Sequence, residues 1–219
     1  MTSMDNMPQV KAYWNDTAHQ FDAIYTGEKG VVSRSLDRWL RRDIYQRFDW
    51  VMEEANDVSG LRVCDFGCGS GRFVAALAQR GAGHVTGVDI APEMLKIARD
   101  VARKTGVSSR CDFVNSDVLD YRIDQPFDLT IAIGFWDYIA DPRSRLEVMR
   151  AATRGRFLSA WPRYWTWRMP IRKVRLGVLG CPVYFFRRRQ VVSLLEQAGF
   201  RVDSIRVVGQ LYCVAATAA

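Results

Sequence analysis

Two hydrophobic periods divide the chain. Over residues 1–60 the marks recur at steps of three to four: Val10, Tyr13, Trp14, Thr17, Phe21, Ile24 and Tyr25, then Leu36, Trp39, Leu40, Ile44, Phe48, Val51 and Met52. That spacing predicts two helices, the second capped by Ser33 or Ser35. From Leu61 onward, short β-prone runs alternate with helical ones. Strands are predicted at 61–66, 84–90, 111–117, 127–135 and 156–161, with a closing hairpin over 201–218. Helices are predicted at 72–81, from Pro92, from Asp141 to about Arg154, and at 188–200. Strands alternating with helices of this length give an α/β chain with a mostly parallel sheet covered on both faces. Ligands of such sheets bind beyond the carboxyl ends of the strands, here the loops after residues 66, 89, 117 and 135.

With 219 residues, 48% apolar and 25% charged, the chain reads as one globular domain able to bury a core without disulfides or metal. No run of 18 apolar residues occurs, and the N-terminus lacks a signal-peptide layout, so the expected location is cytoplasmic. Five cysteines and two histidines form no metal-binding spacing, and no metal is expected. The net charge of +7 is concentrated: ten basic residues between 161 and 206 face only Glu196 and Asp203. A local basic surface implies an anionic partner.

The sharpest chemical signal is Asp65-Phe66-Gly67-Cys68-Gly69-Ser70-Gly71-Arg72. A dinucleotide loop would read G-x-G-x-x-G. Here the third glycine comes one residue early, and an acid precedes the loop. That acid would repel a pyrophosphate but attract a cation. Asp89 ends the second predicted strand, where an acid accepts hydrogen bonds from ribose hydroxyls. Asp117 follows the third, within reach of an adenine amino group. Together they describe a nucleoside with a cationic tail and no phosphate.

The runs VCDFGCGSGRF, VTGVDIAPEML and FVNSDVLD resemble the successive cofactor motifs of class I S-adenosylmethionine-dependent methyltransferases. The resemblance implies a Rossmann-like three-layer sandwich: seven strands in the order 3-2-1-4-5-7-6, strand 7 antiparallel. It is close over about residues 61–160 and extends to the rest in layout, implying a single domain over 1–219, with residues 1–58 as a helical lid and 161–187 as a substrate-covering insertion. It implies S-adenosylmethionine as cofactor and S-adenosylhomocysteine as product. Asp65 would lie near the methionine amino group. Gly67, Cys68, Gly69 and Gly71 would pass beside the methionyl and ribose parts, and Asp89 would take the ribose. Ile90, Met94, Ser116, Asp117 and Val118 would surround adenine, and Tyr13, Gly134 and Phe135 would complete the cofactor site.

For catalysis the candidates are His19, Asp137 and Tyr138. For the acceptor they are the lid residues Phe21 and Tyr25, with Trp136, Trp161, Tyr164, Trp165, Arg168 and Tyr184. Nucleobase-methylase signatures are absent after the fourth strand, so nucleic acid is a disfavoured partner. The aromatic, arginine-rich stretch 161–190 leaves three readings open: a pocket wall for an anionic, partly apolar acceptor, a patch for the inner face of an anionic membrane, or a single-strand nucleic-acid platform. The similarity is greatest, though distant, to quinone-precursor and magnesium-protoporphyrin O-methyltransferases, which implies O-methylation. The alternatives are an RNA or protein methyltransferase and a non-catalytic cofactor-binding subunit. Monomer and homodimer are both compatible.

Overall fold

In a computed structural model of the chain, the described residues are 7–26 and 42–219, apart from 165, 167–173, 175–176 and 178–180. For 19–26 and 42–43 only the backbone is described. The elements are α1 (Met7–Thr26), α2 (Arg42–Ala55), β1 (Arg62–Phe66), α3 (Arg72–Gln79), β2 (His84–Asp89), α4 (Pro92–Lys104), β3 (Cys111–Asn115), β4 (Phe127–Ile133), α5 (Arg143–Ala152), β5 (Thr153–Pro162), α6 (Arg188–Gln197), β6 (Phe200–Val208) and β7 (Leu211–Ala218).

One seven-stranded sheet runs β3-β2-β1-β4-β5-β7-β6, with β7 antiparallel to both neighbours. Strand alternation splits the core. Cys64, Phe66 and Ala132 point to the face covered by Leu146 and Met149 of α5 and Val191 and Leu195 of α6. Val63, Leu129 and Ile131 point to the other, covered by α2, α3 and α4. This two-sided burial is why the parallel strands read as near-continuous apolar runs. α4 begins on Pro92, carries Glu93 in its first turn and Arg103 and Lys104 in its last. Those charges complement the helix dipole.

Several boundaries differ from the sequence reading. α5 stops at Ala152 because Thr153 already pairs with Phe127 of β4, its hydroxyl 2.6 Å from both Thr130 Oγ1 and the Met149 carbonyl. β5 runs from Thr153 through Pro162, longer at both ends than the expected 156–161, and Trp161 pairs within it with Tyr212. The expected lid also divides. Trp50, Val51 and Ala55 of α2 are buried in the core, and Arg156 and Arg206 clamp the Glu54 carboxylate at its end. α2 is therefore a layer of the sandwich that also lends Ile44 and Arg47 to the cavity at the carboxyl ends of the strands, where Met7, Val10 and Trp14 of α1 lie as well. The proposed Ser33 or Ser35 cap lies outside the described residues.

Candidate cofactor and acceptor site

The carboxyl ends of β1–β4 open into a cavity of about 430 Å³. Its floor is the loop between β1 and α3. Gly67 has φ +73°, and a Cβ there would stand 2.7 Å from the Phe135 ring, so the loop packs against β4 only as glycine. Gly69, φ +52°, has nothing within 4 Å of its Cβ position. The backbone there faces open space, as close approach of a ligand requires.

Asp89 organises this floor. Its Oδ2 accepts from Gly69 N–H at 2.8 Å and its Oδ1 from Ala91 N–H at 2.9 Å. A carboxylate has about four acceptor positions. The backbone N–H groups of Gly69, Ala91 and Ile90 take up part of that capacity, and the cavity side is left for a ligand's hydroxyls. Burial raises its pKa, while those backbone N–H groups pull it down.

Asp65 is different. It is 1% exposed, and neither carboxylate oxygen has a hydrogen-bond partner among the described residues. Burial, reinforced by the Asp89 charge and opposed by Arg47, raises its pKa well above the ordinary range. An orphaned buried carboxylate is costly, and a cation delivered beside it removes that cost. S-adenosylmethionine fits these groups: ammonium toward Asp65, ribose on Asp89, base beyond it. Cys68 lines the same floor, where burial first and then the Asp89 charge push its thiol pKa well up.

Asp117 caps the short 3-10 turn Val118–Asp120: Oδ1 accepts from Leu119 N–H at 3.0 Å. Its Oδ2 lies 3.4 Å from the Arg145 guanidinium. Ser116, Asp117 and Val118 line the cavity end below β3, with Ile90 and Met94 beside them. Gly134, Phe135, Asp137 and Tyr138 line the end below β4.

The remaining expected residues divide three ways. Gly71 turns the chain into α3 and packs against Ala98, so it shapes the loop without lining the cavity. Tyr13 does not line it; its neighbour Trp14 does, edge-on to Tyr138 at 5.5 Å. Trp136 and Trp161 are core rather than acceptor wall: both are fully buried and stack at 4.1 Å. Tyr164 is surface-exposed under the Arg187 guanidinium, and Tyr184 packs on the core while its neighbour Phe185 reaches the cavity. The side chains of His19, Phe21, Tyr25, Trp165 and Arg168 lie outside the described residues.

Among the cavity residues that escaped the sequence reading, the polar side chains include Arg47 of α2, Arg72 of α3 and Gln210 in the β6–β7 turn. Arg47 shares the apolar face of α2 with Ile44 and Val51, three and four residues away. A lone guanidinium on an apolar face was the available signal.

A Rossmann-like sheet with this strand order, a phosphate-excluding glycine loop and strand-end acids defines the class I S-adenosylmethionine-dependent methyltransferase fold. Comparison with known proteins agrees. The family model described as a methyltransferase domain matches residues 57–174, more than half of the chain. Among relatives, the ubiquinone biosynthesis O-methyltransferase of Erwinia tasmaniensis is 32% identical over 146 residues, covering 62% of this chain and 58% of that protein. The namesake from Bordetella avium is 33% identical over 108 residues, 49% of this chain and 44% of the relative. The chain thus spans about half the length of the curated relatives it matches. Two solved structures share the fold. Magnesium protoporphyrin IX methyltransferase from Synechocystis PCC 6803, with bound S-adenosylhomocysteine, superposes with a TM-score of 0.76 at 20% identity, covering 96% of this chain and 98% of that one. Geranyl diphosphate C-methyltransferase from Streptomyces coelicolor has a TM-score of 0.76 at 14% identity, covering 100% and 99%. The chain belongs to the methyltransferase domain family, among the class I S-adenosylmethionine-dependent enzymes.

Proposed function

We propose that this protein methylates an oxygen of a small acceptor that is anionic and partly apolar or aromatic. The observation that carries the reading is the composition of one cavity. Asp89, Ile90, Met94, Ser116 and Asp117 share one cavity with the apolar side chains of Tyr138, Ile139, Phe185 and Leu211, and Trp14 touches both sets through Met94 and Tyr138, with Arg47 beside the loop after β4. The O-methyltransferase names of the relatives support oxygen as the atom methylated.

S-adenosylmethionine supplies a methyl group on a sulfonium that is already a good leaving group. The chain's residues bind, orient and exclude water. Asp65 holds the ammonium, and Arg47, whose charge opposes the Asp65 shift, takes the carboxylate of the same amino-acid tail. Asp89 fixes the ribose. Phe135, seated against Gly67, holds the floor under the transferring methyl. Trp14 and Tyr138, edge to face, close the water side. Asp137, 3% exposed on the cavity wall, is placed to accept a hydroxyl proton, which an aliphatic alcohol needs and a carboxylate does not.

The acceptor reading also favours a small-molecule partner over nucleic acid, because nucleobase-methylase signatures are missing after β4. Arg187, Arg188 and Arg189 are exposed and outside the cavity, where they are free to meet an anionic membrane surface. The test is incubation with methyl-labelled cofactor and cell extract, followed by separation. Label in the organic-extractable fraction supports the proposal; label confined to nucleic acid or protein refutes it.

A further inference from the structure

The strand ends of β1, β2 and β3 step across the sheet about 4.8 Å at a time. Asp65, Asp89 and Asp117 follow these ends in order. A nucleoside with its tail at Asp65 and its ribose at Asp89 therefore lays its base against Asp117. What matters at that point is how the Asp117 carboxylate is aimed. Both oxygens are anchored, Oδ1 by the Leu119 N–H at 3.0 Å and Oδ2 by Arg145 at 3.4 Å. Asp117 is one of the cavity's lining residues and Arg145 is not. Arg145 stands in the first turn of α5 and is 6% exposed. The Ser116 hydroxyl, donating to the Asp117 carbonyl at 2.8 Å, and the Ser116 N–H, donating to the Asp89 carbonyl at 3.1 Å, hold the backbone of the same turn.

Resting on the cofactor reading above, we infer that Arg145 is a positioning residue for base selection. It fixes Asp117 so that an acceptor lone pair faces the base edge. A 6-amino group donates to that lone pair; a 6-oxo group meets it as a second acceptor. Sites built around a hydrogen bond discriminate strongly against the ligand that lacks the matching atom. Arg145 thus acts on adenine selectivity through Asp117, without touching the cofactor.

The test measures dissociation constants of S-adenosylhomocysteine and of its 6-oxo counterpart, S-inosylhomocysteine, by calorimetry. Wild-type protein should prefer the adenine form by about tenfold or more. Arg145→Ala should cut that preference at least about threefold, by weakening the adenine form alone, and Arg145→Lys should restore part of it. Arg145→Gln keeps the test available should the alanine variant fail to fold. Equal weakening of both ligands, or an unchanged ratio, overturns the positioning role and makes Arg145 a purely structural partner. No wild-type preference also overturns it, while the cofactor reading stands. Failure of the wild type to bind either nucleoside removes the cofactor reading itself.

Discussion

Replacing Asp65 by asparagine should weaken cofactor binding and strengthen the empty protein at once. The carboxylate is buried with no hydrogen-bond partner among the described residues, so without a cation it is a liability. An unsatisfied buried polar group costs about 1–3 kcal/mol, and more when charged. Asparagine is nearly isosteric and removes the charge. If it recovers only about 1 kcal/mol, a chain of this length should gain about 2–4 °C in melting temperature. The same change deletes a charge-assisted hydrogen bond to the ammonium, worth about 1.5–3 kcal/mol, or roughly 10- to 150-fold in affinity. Differential scanning calorimetry of the apo protein and titration with S-adenosylhomocysteine read the two effects separately. A variant that melts lower yet binds normally would refute the reasoning, because Asp65 would then be a structural acid satisfied within the fold.

Asp65 also sets a pH dependence. Burial first, then the Asp89 charge, raises its folded-state pKa. Its contribution to stability is therefore complete below the unfolded value of about 4 and is lost as pH rises through the folded value. The apo melting temperature of Asp65→Asn should accordingly fall less over that rise than the wild type's; parallel profiles would contradict the shift. Asp89→Ala removes the brace on Gly69 together with the carboxylate proposed to take the ribose, and should weaken S-adenosylhomocysteine by at least about tenfold, as calorimetric titration would show. Gly71→Ala puts a Cβ 2.7 Å from Ala98 at φ +70° and should lower the melting temperature by at least about 2–4 °C. An unchanged melting curve would mean that the loop yields. Arg47→Ala should raise the Michaelis constant for the cofactor about tenfold, with Arg47→Lys intermediate; no change would place the cofactor carboxylate elsewhere.

The sheet was legible in sequence because short apolar β-prone runs, glycine turns and helices of ordinary length repeat without interruption, and because Asp65, Asp89 and Asp117 fall at strand ends whatever the exact boundaries. Side-chain direction was not. The helical period of α1 places Tyr13 and Trp14 on adjacent faces, and only tertiary packing decides that Trp14 meets Tyr138. Trp161 closed the expected strand 156–161 and opened the expected insertion, and its pairing with Tyr212 of β7 assigns it to the strand. Trp136 read as a site residue from its loop position, but the 3-10 turn rotates it onto Trp161. Arg47 was hidden by the habit of reading a basic residue on a helix as solvent-facing, although Ile44 and Val51 marked its face as the inner one.

The most direct check on the cofactor site is a calorimetric titration of the purified protein with S-adenosylhomocysteine and, in parallel, with nicotinamide and flavin dinucleotides. Saturable one-to-one uptake of the thioether nucleoside, undisturbed by excess dinucleotide, is the result expected. Uptake of a dinucleotide with indifference to S-adenosylhomocysteine would contradict it.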